Sequence, residues 1–257
     1  MIRLFYTMLN TLPSPTIFAH RGASAHAPEN TLAAFELAVE QGADGIELDV
    51  KLTADGRVVV IHDATVDRTT GTQGRVKDMM LDELRALGAG SFFSPDFKNE
   101  KIPTLEEVFK AVGQKTFINV ELTNYNTPRD HLVESVCMLV KQFGLQDRVM
   151  FSSFIASNLS KSRSYLPDVP TGLLALGGVF GAWHRSFGFA FGKYDALHPN
   201  IKDATQQQIY FVHRLNRRAH VWTVNGEDEM RRLFKWGVDA IFTDDPQLAV
   251  KVRGEFA

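Results

Sequence analysis

Gly45-Ile46-Glu47-Leu48-Asp49-Val50 reads as a strand with two unlike faces. Alternate residues of a strand point to opposite sides, so Ile46, Leu48 and Val50 share one face and Glu47 and Asp49 share the other. The apolar set suits packing against helices. In a barrel, that places both carboxylates inside.

The flanking sequence repeats the theme of reactive groups at strand ends. Upstream, Phe18-Ala19-His20-Arg21-Gly22 follows a short apolar run from Thr16, and Asn30 or Thr31 can cap a helix carrying Leu32, Phe35, Ala38 and Val39. Downstream, Asp55-Gly56 is a turn signal, and the extended run Arg57 to Ile61 leads into His62-Asp63. From there to Pro103 periodicity is weak and turn residues recur at Gly71, Gly74, Gly88, Gly90 and Pro95, with a short helix expected near Asp82 to Leu87. A stretch of that length is an inserted subdomain or lid, not an ordinary loop.

Order resumes at Thr104-Leu105-Glu106-Glu107, a capping box. Strands are then expected at Phe117–Leu122, Arg148–Ser152, Thr171–Leu174, Ala196–Leu197, His220–Val224 and Ala240–Thr243, with helices between most of them. With Arg57–Ile61 assigned to the insertion, eight strand candidates alternate with helices. Repeated βα units demand a parallel sheet with helices outside. No G-x-G-x-x-G follows the first strand, which argues against a dinucleotide-binding open sheet. The expectation is a (β/α)8 TIM barrel, one domain over residues 1–257, with an inserted segment after the second strand at about 63–103.

Composition narrows the partners. An apolar share of 44% and a net charge of −2 fit a soluble globular chain and give no electrostatic reason to expect nucleic acid or an anionic membrane surface. Any phosphate binding must be local. The single cysteine, Cys137, cannot form an internal disulfide, and its apolar neighbours suggest a packing role. That fits a reducing compartment, and a cytoplasmic location is expected. The N-terminal run Leu4 to Leu9 lacks a convincing cleavage site for a signal peptide, and residues 1–15 read as a loose extension, with Met8 as the alternative start. The aromatic stretch Phe180 to Phe191 is too short to span a bilayer, so no stable membrane insertion is expected. Oligomeric state is not legible.

Two carboxylates side by side are costly to desolvate and need compensation. Glu121, near the end of the next barrel strand, can add a third oxygen ligand, and three carboxylates suit Mg²⁺ or Ca²⁺ better than Zn²⁺. The alternative is a set of solvent-facing, salt-bridged strand ends. His20 and His62 belong at the C-terminal mouth of a barrel, where the pair can act as general base and general acid. Arg21 offers a planar fork of donors to phosphate, or a partner for Glu47 or Asp49. His26, His131, His184, His198, His213 and His220 read as structural.

Taken together, His20-Arg21-Gly22, Pro28-Glu29-Asn30-Thr31, Glu47-Leu48-Asp49-Val50, Thr53, Asp55-Gly56, His62-Asp63 and Arg68-Thr69-Thr70 resemble the glycerophosphodiester phosphodiesterase family. Val120-Glu121, Trp222-Thr223-Val224-Asn225 and Gly237 to Asp244 continue the pattern in order. The resemblance implies a (β/α)8 barrel with an insertion after the second strand. It also implies one divalent ion on Glu47, Asp49 and Glu121, acid–base histidines at His20 and His62, and phosphate contact by Arg21. The expected activity is metal-dependent hydrolysis of a small-molecule glycerophosphodiester to glycerol 3-phosphate and an alcohol. The alternatives are a lysophospholipase D-type phosphodiesterase, favoured if Phe180, Trp183, Phe187, Phe189 and Phe191 form an apolar wall at the mouth instead of packing helix to barrel, and a barrel that only binds phosphodiesters. The family usually carries a lysine two residues after the third carboxylate, where this chain has Thr123. A lysine there would set an ammonium near a bound phosphate, so Thr123→Lys is expected from sequence to lower KM, raise kcat or both by about tenfold, the competing outcome being a loss of activity if the new ammonium pairs with Glu121 and displaces the metal.

Overall fold

The computed structural model describes residues 8–256. The N-terminal run Leu4 to Leu9 therefore lies mostly outside the described residues.

Apolar side chains concentrated on one face of each short strand drive a closed sheet. In chain order the elements are β1 (Thr16–Ala19), α1 (Leu32–Glu40), β2 (Gly45–Leu52), β3 (Val58–Val60), α2 (Asp67–Thr70), α3 (Leu81–Ala86), α4 (Leu105–Val112) and β4 (Phe117–Leu122). They continue with α5 (Leu132–Gln142), β5 (Val149–Ser153), α6 (Ala156–Tyr165), β6 (Thr171–Ala175), α7 (Phe187–Phe191) and β7 (Ala196–Pro199). The last are α8 (Gln206–Arg214), β8 (Arg218–Val221), α9 (Glu227–Lys235), β9 (Ala240–Thr243) and α10 (Pro246–Arg253). Strand order is β1-β9-β8-β7-β6-β5-β4-β2-β3, and β1 also pairs with β2, which closes eight parallel strands into a barrel. β3 lies outside that ring, antiparallel to β2 with Val60 opposite Val50. This is the hairpin that Asp55-Gly56 signals.

Two apolar layers follow from the alternation. Ile46, Leu48, Val50, Ile118, Val120 and Leu122 face outward into the large core shared with the helices. Phe18, Met150, Ala196, Ala240 and Phe242 face inward near the strand starts, where Leu9 and Leu12 close the barrel from below. Part of the expected loose extension is thus a plug. Both leucines are buried, and sequence pattern has no way to assign a lone 3₁₀ turn to a barrel floor.

Helix starts obey local chemistry. Thr31 accepts a bond from the Ala34 amide at 3.3 Å, and Thr104 and Glu107 form a reciprocal capping box opening α4. Between β3 and α4 the chain builds a small core of its own from Val59, Ile61, Val66, Val76, Leu84, Ala89 and Ile102. Cys137 is buried on α5, and burial pushes its thiol up to about 12, so it stays an inert packing group. Among the described residues, no helix is long and apolar enough to cross a membrane.

Candidate active site

The turn after β1 sets the first reactive groups. Gly22 takes φ +84°, and a Cβ there would lie 2.6 Å from the Ala34 carbonyl carbon, so only glycine lets the chain double back against α1. Arg21 sits at φ 56°, an uncommon conformation for a side-chain-bearing residue. The tight turn leaves the Arg21 amide donating to Glu47 Oε2 at 2.9 Å, and leaves the His20 ring facing the cavity.

Glu47, Asp49 and Glu121 converge: each offers a ligand oxygen within 4.8 Å of the others. Glu47 and Asp49 are buried, and the second oxygen of Glu47, Oε1, has no partner. Burial first, and then Asp49, push Glu47 well above the usual carboxylate range; the same causes raise Glu121 to about 8. Tyr125 donates to Glu121 Oε1 at 2.7 Å, and Asn30 donates to Asp49 Oδ2 at 2.9 Å. A trio of hard oxygen donors with an orphaned buried oxygen fits a divalent ion of the Mg²⁺ or Ca²⁺ type.

Each mouth histidine rests its Nδ1 on a carboxylate. His20 meets Asp244 Oδ1 at 2.7 Å, and His62 meets Asp63 Oδ1 at 2.8 Å. Burial opposes ionisation of both acids, yet both titrate below the usual range. Asp244 is held there by His20, Asn225 and Ser24, and Asp63 by Arg68 and His62. With Nδ1 engaged, Nε2 is the nitrogen free to work on a substrate in either ring.

Arg21 is both things that its position suggests. Burial works against its charge, but Asp49, Glu29 and Glu47 hold it protonated. Its Nη1 donates to Glu29 at 2.9 Å, while Nε lies 3.4 Å from Asp49 Oδ2 without forming a hydrogen bond. Arg68 grips Glu29 through both terminal nitrogens and Asp63 through Nε, so a chain of ion pairs links His62 to Arg21.

His20, Arg21, Glu47, His62 and Glu121 share one cavity of about 60 Å³, walled by Phe154 and Trp222. Phe154 packs edge-on against Trp222 and Tyr125 with ring centroids 5.7 and 5.8 Å apart. The floor includes His198, whose ring lies 5.0 Å from that of His220. Burial lowers both, His198 to about 3, so the pair stays neutral. Three nitrogens of these rings, His198 Nδ1 and Nε2 and His220 Nδ1, have no protein partner.

Sequence reasoning missed Lys51. It follows Asp49 on the same face of β2, and its ammonium donates to Thr123 Oγ1 at 2.6 Å and to Thr123 O at 3.1 Å. Burial pulls its pKa down, opposed by the fields of Asp49, Glu121 and Asp63. The positive charge missing from position 123 is therefore supplied from the neighbouring strand. This reverses the expected effect of Thr123→Lys. The Thr123 hydroxyl also donates to the Val50 carbonyl at 2.8 Å, so the change deletes buried hydrogen bonds and sets two ammonium groups together. We predict a loss of about 1–3 kcal/mol in denaturant unfolding and no gain in kcat/KM. A stable variant with higher kcat/KM would show that Lys51 does not occupy that role.

The aromatic run also departs from its expected packing. Phe189 is buried, but Phe180, Trp183, Phe187 and Phe191 are exposed.

A parallel eight-stranded barrel with carboxylates, histidines and an arginine gathered at its C-terminal mouth has the make-up of a barrel enzyme that acts on phosphate esters. Sequence comparison agrees: the profile of the glycerophosphoryl diester phosphodiesterase family matches residues 20–248. The glycerophosphodiester phosphodiesterase of Caldanaerobacter subterraneus subsp. tengcongensis is 40% identical over 237 residues, covering 92% of this chain and 96% of that protein. A phosphodiesterase from Oleispira antarctica, solved with its product sn-glycerol-3-phosphate, superposes with a TM-score of 0.88 at 30% identity, covering 96% of this chain and 99% of that one. A glycerophosphodiester phosphodiesterase from Thermotoga maritima gives a TM-score of 0.74 at 28% identity over 94% and 99%. The chain belongs to the glycerophosphoryl diester phosphodiesterase family and is an enzyme of that class.

Proposed function

We propose that the chain hydrolyses glycerophosphodiesters to glycerol 3-phosphate and an alcohol with one divalent ion, and that His20 and His62 perform the proton transfers. The observation that carries the reading is the pair of rings, each with Nδ1 on an ionised carboxylate, sharing one cavity with Glu47 and Glu121 of the carboxylate trio. Glu47, Asp49 and Glu121 would hold the ion, which would supply charge to offset that growing on the phosphoryl oxygens. Arg21 adds a fixed guanidinium beside them, whose charge would help hold a phosphoryl oxygen. One histidine accepts a proton from the attacking oxygen, and the other returns a proton to the leaving alkoxide. The attacking oxygen belongs to water or to the neighbouring glycerol hydroxyl.

The alcohol has room beside the site. A larger cavity of about 420 Å³ lies between the segment after β3 and the loop after β4, walled by Lys51, Thr65, Arg75, Lys77, Thr123 and Asn124. Incubation with glycerophosphocholine and with glycerophosphoethanolamine is expected to release glycerol 3-phosphate, to stop under chelator, and to resume when Mg²⁺ or Ca²⁺ is returned. Release that survives complete chelation would remove the ion from the reaction. No release from either diester would remove the activity.

A further inference from the structure

A diester held at the carboxylate trio has one roomy direction in which to extend. Glu47, Asp49 and Lys51 alternate along one face of β2, and Glu121 and Thr123 do the same at the end of β4, with Asp49 opposite Glu121. Two residues along a strand advance it by about 6–7 Å. Lys51 and Thr123 therefore stand one layer above the trio, and both line the cavity of about 420 Å³. An alcohol esterified to a phosphate at the trio would enter that cavity.

The walls of the cavity are cationic. Lys51, Arg75 and Lys77 stand against a single acid, Asp130. Asp130 is already engaged: its Oδ1 takes the Asn124 side-chain amide at 2.7 Å and the Leu132 backbone amide at 3.0 Å, and its Oδ2 takes the Thr127 hydroxyl at 2.7 Å. Lys51 is committed to Thr123. The Arg75 guanidinium has no ion-pair partner among the described residues. Lys77 reaches only Asp78, at 3.8 Å, and both of those side chains are about half exposed.

Arg75 and Lys77 are held in place by the inserted segment. Val76, between them, is buried in the small core of that segment, and its amide donates to the Ala64 carbonyl at 3.1 Å. Arg75 also bridges Thr65 in antiparallel register, which ties its backbone to the opposite side of the turn. Two cations on an anchored stretch, with no acid left to neutralise them inside the cavity, attract an anion. The guanidinium fork matches a carboxylate or a phosphate. A quaternary ammonium such as choline is held best by aromatic faces, and no aromatic ring is among the walls.

We propose that Arg75 and Lys77 are specificity-determining residues that favour a leaving alcohol carrying an anionic group, a carboxylate or a second phosphate, over one carrying only a cation. The proposal rests on the phosphodiesterase reading.

Glycerophosphoserine and glycerophosphoethanolamine differ by one carboxylate, so the ratio of their kcat/KM values isolates the interaction. The parent is expected to favour the serine diester by about fivefold at low salt, as two partly exposed ion pairs would give. High salt should bring the ratio towards one. Arg75→Gln/Lys77→Gln should do the same at low salt, with most of the change in KM for the serine diester. Arg75→Glu/Lys77→Glu is the second variant and should favour the ethanolamine diester. A third diester, whose alcohol is glycerol 3-phosphate, separates the two anions: a preference for it over the ethanolamine diester, lost in the same variants, extends the selection to a terminal phosphate. A parent that turns over the ethanolamine diester as well as or better than both anionic ones overturns the proposal. So does a preference that both double variants retain. Failure of the phosphodiesterase reading shows separately, as no turnover of any of the three diesters by the parent, and the proposal falls with it.

Discussion

Glu47→Gln is expected to abolish turnover and to weaken divalent-ion binding by more than about 100-fold, while making the ion-free protein more stable at neutral pH. Loss of a group that merely supports a metal ligand costs about 10- to 100-fold in affinity, and Glu47 would offer a ligand oxygen itself. The gain in stability follows from the same geometry. Burial and Asp49 raise the Glu47 carboxyl well above its ordinary value, and Glu121 rises to about 8. A carboxyl whose folded pKa is raised binds its proton more tightly in the folded state. Its contribution is fully present below the unfolded value of 4.5 and is lost as pH rises through the folded one. In chelator, the parent should therefore lose stability from about pH 4.5 to about pH 8, the upper end being where Glu121 ionises. An amide at position 47 never ionises and can still accept the Arg21 amide hydrogen bond, so the variant should lose less. Calorimetric titration with Mg²⁺ and Ca²⁺, and denaturant unfolding in chelator at the two ends of the window, measure both halves. Unchanged ion affinity, or a parent whose stability is flat with pH, would contradict the assignment.

Much of the barrel is legible in the sequence because its strands carry their environment in their pattern. The apolar set Ile46, Leu48 and Val50 has to face helices, which turns Glu47 and Asp49 inward, and β4 repeats the arrangement with Val120 and Glu121. The Asp55-Gly56 turn identifies β3 as a hairpin partner of β2 rather than a barrel strand. What local pattern does not reveal depends on contacts across the closed ring. Asp244 lies 224 residues from His20, and only the pairing of β1 with β9 brings it under the ring. Lys51 is an ordinary strand-end lysine until β2 and β4 pair and place it at Thr123. The stretch from Phe180 to Phe191 has the same composition whether its rings pack inward or stand in solvent. The outcome is decided by Arg217 and Arg185 anchoring its backbone, and neither contact has a local signal.

His20→Ala is expected to lower kcat by about 10²–10⁴, the usual worth of a positioned acid or base, with the chain still folded because the ring is partly exposed at the mouth. His62→Ala belongs in the same range, and its ring is more open still. Asp244 gives the sharper measurement because its role is positioning. Its Oδ1 takes His20 Nδ1 and the Ser24 hydroxyl, and its Oδ2 takes Asn225 Nδ2 at 2.6 Å. An amide in place of the carboxylate removes an acceptor that orients the His20 ring, and one of its ends must present a donor to a donor. Asp244→Asn should therefore cut kcat by roughly 10² with a much smaller change in KM, since no contact to substrate is lost. Residues that act as one unit are not additive. His20→Ala combined with Asp244→Asn should be no slower than His20→Ala alone, because the carboxylate has nothing left to orient. Steady-state kinetics on glycerophosphocholine at saturating Mg²⁺ decides the matter. A double variant slower than His20→Ala by the full Asp244→Asn factor would mean that Asp244 acts on the reaction independently of His20, and that the ring needs no carboxylate behind it.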